Sequence, residues 1–468
     1  MSFNIKELIN IPMEWTTIRV GDIAKINAQS ITKKDTLNTI QYIDISSVST
    51  HKMEAPKTLS FSEAPSRAKR KLKNNDFIIS TVRPNLKQFT FITKADANLI
   101  CSTGFCVISA KDENIAWYLY AFLTSDIFTN YLVKIADGGA YPAFNSSEIE
   151  NAIIPFPPEE ELIKISNWYK TLFFKITLNT QTNQTLEQIA QVIFKHWFID
   201  FAPVHAKANA LVRGKTIEQA ELAAMACLSG KTVEKITALK TQDPTAYHQL
   251  QQTAQAFPSE FVETEMGQVP KGWERTTLTH ICEMKNGYAF KSKEWTDEGI
   301  PVIKIGSVKP MLIELDNGSF VAAENETLRA DFLASEGDIL VGLTGYVGEV
   351  GRIPYQEKAM INQRVAKFMP KKITETMNYY CFIYCLARQK EFKAFTEMNA
   401  KGSAQANIST KEILSYPVII ATKEIHIAFE NTVKNLLDKI IVNSGENSTL
   451  TKTRDELLPR LLSGEIEL

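Results

Sequence analysis

The feature that most constrains the fold of this 468-residue chain is an internal repeat. The segment "PMEWTTIRVGDIAKINAQ" from Pro12 is similar to "PKGWERTTLTHICEMKNG" from Pro270, and Trp15 aligns with Trp273 at an offset of 258 residues. Further along, "DFIIST" and "DILVGL" each place an acidic residue before an apolar run that is typical of a buried strand. A repeat of this size predicts two similar domains rather than one core.

Later parts of the two copies also correspond. Aromatic-rich helix patterns, "IAWYLYAFLTSDIFTNYLVKI" and "MNYYCFIYCLARQKEFKAFTEM", are each followed by a small-residue loop, a helix start at Ser147 or Ser409, and an apolar strand. Short strands, a few helices and Gly-bearing loops predict mixed α+β domains, which we place at residues 1–158 and 257–420.

A different pattern follows each predicted domain, now at an offset of 264 residues. Apolar residues recur in steps of four, three and four at Ile165, Tyr169, Leu172 and Ile176, and again at Phe429, Val433, Leu436 and Ile440. So narrow a stripe favours pairing with another helix over a broad core. We therefore predict long helical regions at 159–202 and 421–468 that pair antiparallel about a pseudo-twofold axis. The two domains would then lie at opposite ends of a helix pair about 60 Å long, at about 1.5 Å per residue.

Asparagines interrupt both apolar stripes at equivalent positions of the two copies. They are Asn179 and Asn183 in the first stripe and Asn443 and Asn447 in the second. Buried Asn can fix the alignment of paired helices at a cost in stability. The alternative is a break or kink, because "LNTQTNQTLEQ" and "VNSGENSTLTK" contain few strong helix formers. Both alternatives remain open from the sequence.

The net charge of −1 gives no sign of nucleic-acid binding, but each copy contains one basic stretch. In the first copy the candidate DNA contacts are Arg67, Lys69, Arg70, Lys71 and Lys73 on phosphates and Arg83, Asn85 and Lys87 at a Pro-marked turn. In the second copy they are Tyr346, Arg352, Arg364 and Lys401. The alternative for each residue is a solvated or locally paired side chain.

Motifs for catalysis and cofactor binding do not match this sequence. "PFPP" from Pro155 lacks the polar residue and the aromatic residue of an adenine methyltransferase loop, and "LSGKT" lacks the earlier Gly of a phosphate loop because Met225 stands there. The six cysteines lack paired zinc spacings, and Cys381 and Cys385 are interpreted as buried thiols. We therefore expect a non-catalytic chain without a bound cofactor or metal. A self-sufficient enzyme and a protein-only adaptor are the other function classes considered.

The chain resembles the specificity subunits of Type I restriction-modification enzymes over nearly its whole length. The resemblance rests on "EWTTIRVGDI", "GWERTTLTHI", "LEQIAQVIFKHWFIDF" and above all the C-terminal "LTKTRDELLPRLLSGEIEL". It implies two target-recognition domains that each read one half of a bipartite, asymmetric site in double-stranded DNA. It also implies two methyltransferase subunits and motor-nuclease restriction subunits as partners. S-adenosylmethionine, ATP and Mg would then belong to those partners.

Two further expectations concern interaction surfaces. The helical connecting insertion is placed at residues 203–256. Within it, the segment from Ala206 to Gln255 departs from the family and is predicted to form two or three short Ala-rich helices, which either pack near the helix pair or extend a partner surface. Apolar residues near the helix ends either pack within the chain or dock methyltransferase subunits: Phe194, Trp197, Phe198, Leu458, Leu461 and Leu462. The chain has no 18-residue apolar run and no signal-like start, so we predict a cytoplasmic protein without membrane contact.

Overall fold

A computed structural model describes residues 3–5, 11–32, 35, 37–264, 267–315, 318–402 and 405–468. The chain divides into two compact units, one formed by Met1–Thr177 with Ser448–Leu468 and the other by Leu178–Asn447. Each unit therefore combines one repeat with segments of both long helices. The predicted domain boundaries, and the placement of the domains at opposite ends, stay predictions.

The described part of the first unit contains two four-stranded sheets, in the orders β6-β3-β10-β7 and β2-β11-β8-β9, and two two-stranded sheets, β1 with β12 and β4 with β5. Its strands are β1 (Thr16–Arg19), β2 (Ala24–Ile26), β3 (Thr39–Ile43), β4 (Val48–Ser49), β5 (Lys52–Met53), β6 (Lys57–Ser60), β7 (Ala68–Lys71), β8 (Asp76–Ser80), β9 (Phe89–Ile92), β10 (Leu99–Ser102), β11 (Phe105–Ala110) and β12 (Ile153–Phe156). Its helices are α1 (Val20–Ile23), α2 (Glu113–Leu123), α3 (Asp126–Ile135), α4 (Ser147–Glu150) and the first part of α5 (Glu159–Phe198).

Helix α2 belongs to the hydrophobic core of the first unit. Its N-cap Asp112 accepts the N–H of Ile115 at 2.9 Å, and the helix is buried from Ala116 onward because aromatic residues occupy several of its faces. The Trp117 ring stacks on Phe91 of β9 with centroids 3.7 Å apart. Burying one such ring stabilises the fold by about 1.5–3 kcal/mol, so this contact secures the helix on the sheet.

The second unit contains two five-stranded sheets, in the orders β16-β25-β22-β23-β19 and β17-β20-β18-β24-β21. Its strands are β13 (Phe261–Thr264), β14 (Gly267–Pro270), β15 (Glu274–Thr277), β16 (Cys282–Asn286), β17 (Trp295–Thr296), β18 (Ile300–Ile303), β19 (Met311–Leu312), β20 (Phe320–Val321), β21 (Leu333–Ser335), β22 (Ile339–Gly342), β23 (Val350–Arg352), β24 (Lys358–Ile361), β25 (Val365–Pro370) and β26 (Pro417–Ile420). Its helices are α6 (Ala202–Val212), α7 (Ile217–Ser229), α8 (Val233–Gln242), α9 (Pro244–Ala256), α10 (Asn325–Leu328), α11 (Tyr380–Ala387), α12 (Lys390–Asn399), α13 (Thr410–Leu414) and part of α14 (Lys423–Leu462).

Helix α11 is the counterpart of α2, but two backbone N–H groups of its first turn donate to a side chain of another helix. Glu430 of α14 accepts the N–H groups of Cys381 and Phe382 at 2.8 and 2.9 Å. Burial raises the pKa of Glu430, although these two donors favour its ionised form. Cys381 and Cys385 are buried thiols, as predicted.

The two openings that revealed the repeat adopt the same backbone arrangement. The N–H of Trp15 donates to the carbonyl of Pro12 at 3.1 Å, and the N–H of Trp273 donates to Pro270 at 3.0 Å. The strand that follows each Trp pairs antiparallel with the closing strand of its repeat, β1 with β12 and β15 with β26. The predicted mixed fold with two similar domains is confirmed.

Helices α5 and α14 are each continuous over 40 residues. In the second unit, Asn443 donates to Asn183 at 2.8 Å and Asn179 donates to Asn447 at 3.0 Å, so higher numbers on one helix meet lower numbers on the other. In the first unit, Ile165 and Leu461 line one cavity in the same antiparallel sense. The predicted pairing is confirmed, and the structure rejects the proposed break because these asparagines lie inside continuous helix.

The apolar residues near the helix ends pack within the chain. Phe194, Trp197 and Phe198 belong to the core of the second unit, and Leu458, Leu461 and Leu462 are buried in the first. For example, the Trp197 and Phe429 ring centroids lie 5.7 Å apart. The hypothesis that these six residues form a docking surface is wrong, because their side chains are already covered.

Residues 203–256 contain helices α7, α8 and α9 and all of α6 except its first residue. The segment therefore has four helices, and the prediction was two or three. Gly214 and Gly230 follow α6 and α7 with φ of 73° and 63°, and Pro244 opens α9 directly after α8, so more helix boundaries occur than predicted. Buried Lys207 donates to the carbonyls of Ala254 and Phe257, which ties α6 to the end of α9. This agrees with the packing alternative.

None of the helices in the described part of the chain is long and apolar enough to cross a membrane.

Candidate nucleic-acid interface

In the first unit, the loop after β8 pairs with the small-residue loop after α3. We define residues 81–88 with 137–144 as the first loop pair. The N–H of Arg83 donates to Pro142 at 2.7 Å, and that of Phe144 donates to Thr81 at 3.0 Å. Strand β8 is buried, so it holds the base of this loop pair while the tips reach solvent.

The second unit contains the same arrangement after β22. We define residues 343–349 with 401–402 and 405–408 as the second loop pair. The N–H of Gly345 donates to Ala406 and the N–H of Ile408 donates to Leu343, each at 2.9 Å. Gly345 and Gly348 have φ of 75°, a backbone conformation that most other residues avoid. The repeat thus presents two loop pairs with one backbone pattern and different side chains.

In the first loop pair, the half-buried cation Arg83 lies against the exposed ring of Tyr141. The Arg83 guanidinium carbon lies 4.2 Å from the Tyr141 ring centroid, and Nη2 donates to the carbonyl of Ala140 at 3.1 Å. Tyr141 is 67% exposed. A guanidinium held over an exposed ring can donate to a base edge or a phosphate while the ring stacks on a base. Tyr141 was missed in the sequence, where its only signal was an aromatic residue within the small-residue loop "DGGAYPAF".

The other two candidate DNA contacts of this loop pair are Asn85 and Lys87. Asn85 is exposed at the tip of the loop. Lys87 is half-exposed and forms an ion pair with Asp126 at 2.6 Å. A pair so open to solvent contributes little to stability, so Lys87 can exchange Asp126 for a phosphate.

The basic residues of the first repeat lie in and beside β7, a strand at the edge of its sheet. Arg67 forms an ion pair with Asp44 at 2.7 Å, and Lys71 forms one with Asp35. The hydrogen bond from Lys71, followed by the N–H of Thr32, lowers the pKa of Asp35 to about 2, so this carboxylate remains charged at neutral pH.

The other three members of that stretch are Arg70, Lys69 and Lys73. Arg70 is half-buried, and its Nε has no hydrogen-bond partner within the described residues. Lys69 and Lys73 are exposed. These two lysines are therefore the stretch's most available phosphate contacts.

In the second unit, Tyr346 and Arg364 are exposed to solvent, as contact with DNA requires. Tyr346 is 67% exposed at the tip of the second loop pair. Arg364 is also exposed. It lies next to the second loop pair, because its carbonyl accepts the N–H of Leu343 at 2.9 Å. Lys401 is exposed but forms an ion pair with Glu412 at 2.7 Å.

Arg352 does not belong to the interface. Its side chain is fully buried, Nη1 donates to the carbonyl of Leu437 at 3.1 Å, and its guanidinium carbon lies 4.5 Å from the Tyr384 ring centroid. The prediction that Arg352 contacts DNA is wrong, because β23 directs this side chain into the core. In the first repeat the same ladder position holds Phe91, since Phe77 pairs with Phe91 as Ile339 pairs with Arg352.

A cation and aromatic cluster next to Arg364 was also missed. The Arg329 guanidinium carbon lies 4.5 Å from the Tyr288 ring centroid, and the N–H of Gln363 donates to the carbonyl of Tyr288 at 3.0 Å. Its residues come from distant parts of the sequence, so no local motif marked it. Within the described part of the chain, no cluster of three or more His, Cys, Asp or Glu side chains could hold a metal ion.

Comparison with known proteins relates the two repeats to one family. The family model described as Type I restriction modification DNA specificity domain matches residues 12–188 and 270–451, one match in each repeat. The chain is 33% identical to the Type I restriction enzyme HindI specificity subunit of Haemophilus influenzae, over 97% of this chain and 100% of that protein. It is 25% identical to the Type I restriction enzyme MjaIX specificity subunit of Methanocaldococcus jannaschii, over 81% of this chain and 75% of that protein. A crystal structure of a Type I restriction-modification S subunit from M. genitalium is 17% identical with a TM-score of 0.45, over 98% of this chain and 99% of that one.

Proposed function

Because the chain belongs to the Type I restriction modification DNA specificity family, we propose that it reads a bipartite, asymmetric site in double-stranded DNA, with one half-site per repeat. The chain is a DNA sequence-recognition subunit with two domains, and catalysis belongs to other subunits. The observation that carries the proposal is the double occurrence of the loop pair, with matching backbone hydrogen bonds.

The side chains on those two backbones support asymmetry of the site. Arg83 and Tyr141 occupy the first loop pair, whereas Gly345 and Gln405 stand at the corresponding places in the second. Direct readout depends on the donors and acceptors presented to base edges, so unlike side chains on like backbones select unlike bases. The exposed Lys69 and Lys73 of the first repeat would add phosphate contacts that position the domain without selecting sequence.

The partners in this proposal are two methyltransferase subunits and, for cleavage, restriction motor subunits. They would supply adenine N6 methylation and ATP-dependent DNA cleavage, and they would bind S-adenosylmethionine, ATP and Mg. Calorimetric titration of the isolated chain with S-adenosylmethionine tests this division of labour. We expect no heat of binding, and a saturable micromolar isotherm would contradict the proposal.

Mapping N6-methyladenine across a genome that carries this chain and its cognate methyltransferase tests the proposed site directly. We expect a motif of two unlike blocks separated by a spacer of fixed length. A palindromic motif or a single contiguous block would overturn the assignment of one half-site to each repeat.

A further inference from the structure

The second loop pair ends at a half-buried ion pair. Glu349, the last residue of its first loop, places Oε1 3.4 Å from Nη1 of Arg388 and accepts Nζ of Lys393 through Oε2 at 2.9 Å. Its side chain is 16% exposed. Directly before it, a Cβ on Gly348 would lie 2.0 Å from Oγ1 of Thr396 on α12, so the loop is seated closely against that helix.

Arg388 continues this contact to the long helix α5. Its Nε lies 3.2 Å from Oε1 of Glu187, and Tyr384 donates to the other oxygen of Glu187 at 2.7 Å. The Arg388 and Glu187 side chains are 19% and 10% exposed. One guanidinium thus bridges a loop carboxylate and a helix carboxylate in a poorly solvated place, where ion pairs are screened little by salt.

The first repeat lacks these charges at the equivalent places. Gln88 is the counterpart of Glu349, because Ser80 donates to its carbonyl at 2.8 Å as Gly342 does to Glu349 at 2.9 Å. Thr124 is the counterpart of Arg388, because each is the C-cap of its helix. Gln88 donates instead to Ile45 at 2.9 Å, and Thr124 donates to Tyr120 at 2.6 Å.

The counterpart of Glu187 is also a neutral residue. At the offset of 264 residues, the counterpart of Glu187 is Thr451. The three equivalent positions of the first unit therefore hold neutral residues, Gln88, Thr124 and Thr451. The anchoring of a recognition loop through buried charge is a property of the second unit.

We propose that Arg388 is a positioning residue for DNA reading by the second repeat, because it holds the base of loop 343–349 against α5. This inference rests on the proposed function. Base-edge hydrogen bonds require placement within about 0.5 Å, so the anchor at Glu349 governs how accurately Tyr346 meets a base. Removing Arg388 leaves two carboxylates close together and poorly solvated, which repels the loop from α5. The effect belongs to one half-site because the first loop pair has no such bridge.

The test uses the full methyltransferase complex, after its motif has been mapped, with Arg388→Gln. Affinities are measured for the cognate duplex and for duplexes with one base changed in either half-site. We expect discrimination at one half-site to fall about tenfold and discrimination at the other to change less than twofold. Lys372→Gln, which removes an exposed ion pair with Glu375 in the same unit, is the matched control and should alter neither ratio.

A second variant, Glu187→Gln, distinguishes positioning from general destabilisation. It removes the helix end of the bridge and should reduce discrimination at the same half-site, in complexes whose melting shows them folded at the assay temperature. Equal losses at both half-sites, losses at opposite half-sites in the two variants, or unchanged discrimination would each overturn the role of Arg388. If the wild-type complex shows no split motif, the proposed function itself fails, which is a separate outcome.

Discussion

At the residue scale, His426 is a buried titratable group that the sequence did not mark. It lies near the start of α14, its ring stacks on Phe198, and Nε2 accepts the N–H of Ala421 at 3.2 Å. Burial lowers its pKa to about 3. An unfolded His titrates near 6.5, so as the pH falls the unfolded chain takes up the proton first, and stability is lost from about pH 6.5 down to about pH 3.

We therefore expect His426→Gln to flatten the pH dependence of folding. Between pH 7 and pH 5 the wild type should lose about 2 kcal/mol of unfolding free energy through this group, and Gln can still accept the N–H of Ala421 without titrating. Urea denaturation at several pH values measures the difference. His248→Gln, at an exposed position in the same unit, should keep the wild-type slope. Parallel pH profiles for wild type and His426→Gln would contradict the assignment.

At the element scale, the alignment of α5 with α14 depends on the buried asparagines. Asn183 accepts from Asn443 at 2.8 Å and donates to the carbonyl of Ile440 at 3.3 Å. Apolar contacts pack these helices but tolerate shifts along the helix axis, whereas an amide pair is satisfied in one alignment only. The asparagines that suggested a break in the sequence are therefore part of the pairing surface.

Replacing one member of the amide pair should be worse than replacing both. Asn183→Leu leaves the Asn443 amide buried without its partner, which should lower the unfolding free energy by about 1–3 kcal/mol. The double variant with Asn443→Leu should recover much of that loss, as measured by urea denaturation in a double-mutant cycle. Gln184→Leu, at an exposed position on α5, should change stability by less than about 0.5 kcal/mol. Additive losses in the double variant would argue against coupling.

At the scale of the whole molecule, charge is nearly balanced, so DNA affinity depends on a few well-placed cations. Of the five basic residues in and beside β7, Lys69 and Lys73 are exposed, whereas Arg67 and Lys71 form ion pairs and Arg70 is half-buried. Neutralising both lysines should make the slope of log affinity against log salt shallower by about 1.8, because each would bind one phosphate. This change should not depend on the base sequence of the duplex.

We expect Lys69→Gln with Lys73→Gln to produce this shallower slope in the assembled complex, measured by fluorescence anisotropy from low to moderate salt. The matched control is Lys231→Gln with Lys235→Gln, two exposed lysines of the α7 to α8 region. The control should keep the wild-type slope. Equal slopes for wild type and the first double variant would remove these lysines from the interface.

Much of the architecture was predictable because its signals are periodic or repeated. The four, three and four spacing of apolar residues identified both long helices, and the aligned openings at Trp15 and Trp273 identified both repeats. The candidate interface was less accessible. Lys69 and Lys73 are exposed as a phosphate contact requires, but Tyr141 and Tyr288 were missed, because aromatic residues in loops follow no period.

By itself the sequence determined that the chain contains two similar mixed domains and two striped helices, because apolar periodicity and helix caps act over a few residues. Only the tertiary structure decided that Arg352 faces the core, that Trp197 is covered within its own unit, and that Glu349 reaches α5 through Arg388. The physical reason is that burial and charge pairing depend on which distant segments meet. A local pattern of residues does not contain that information.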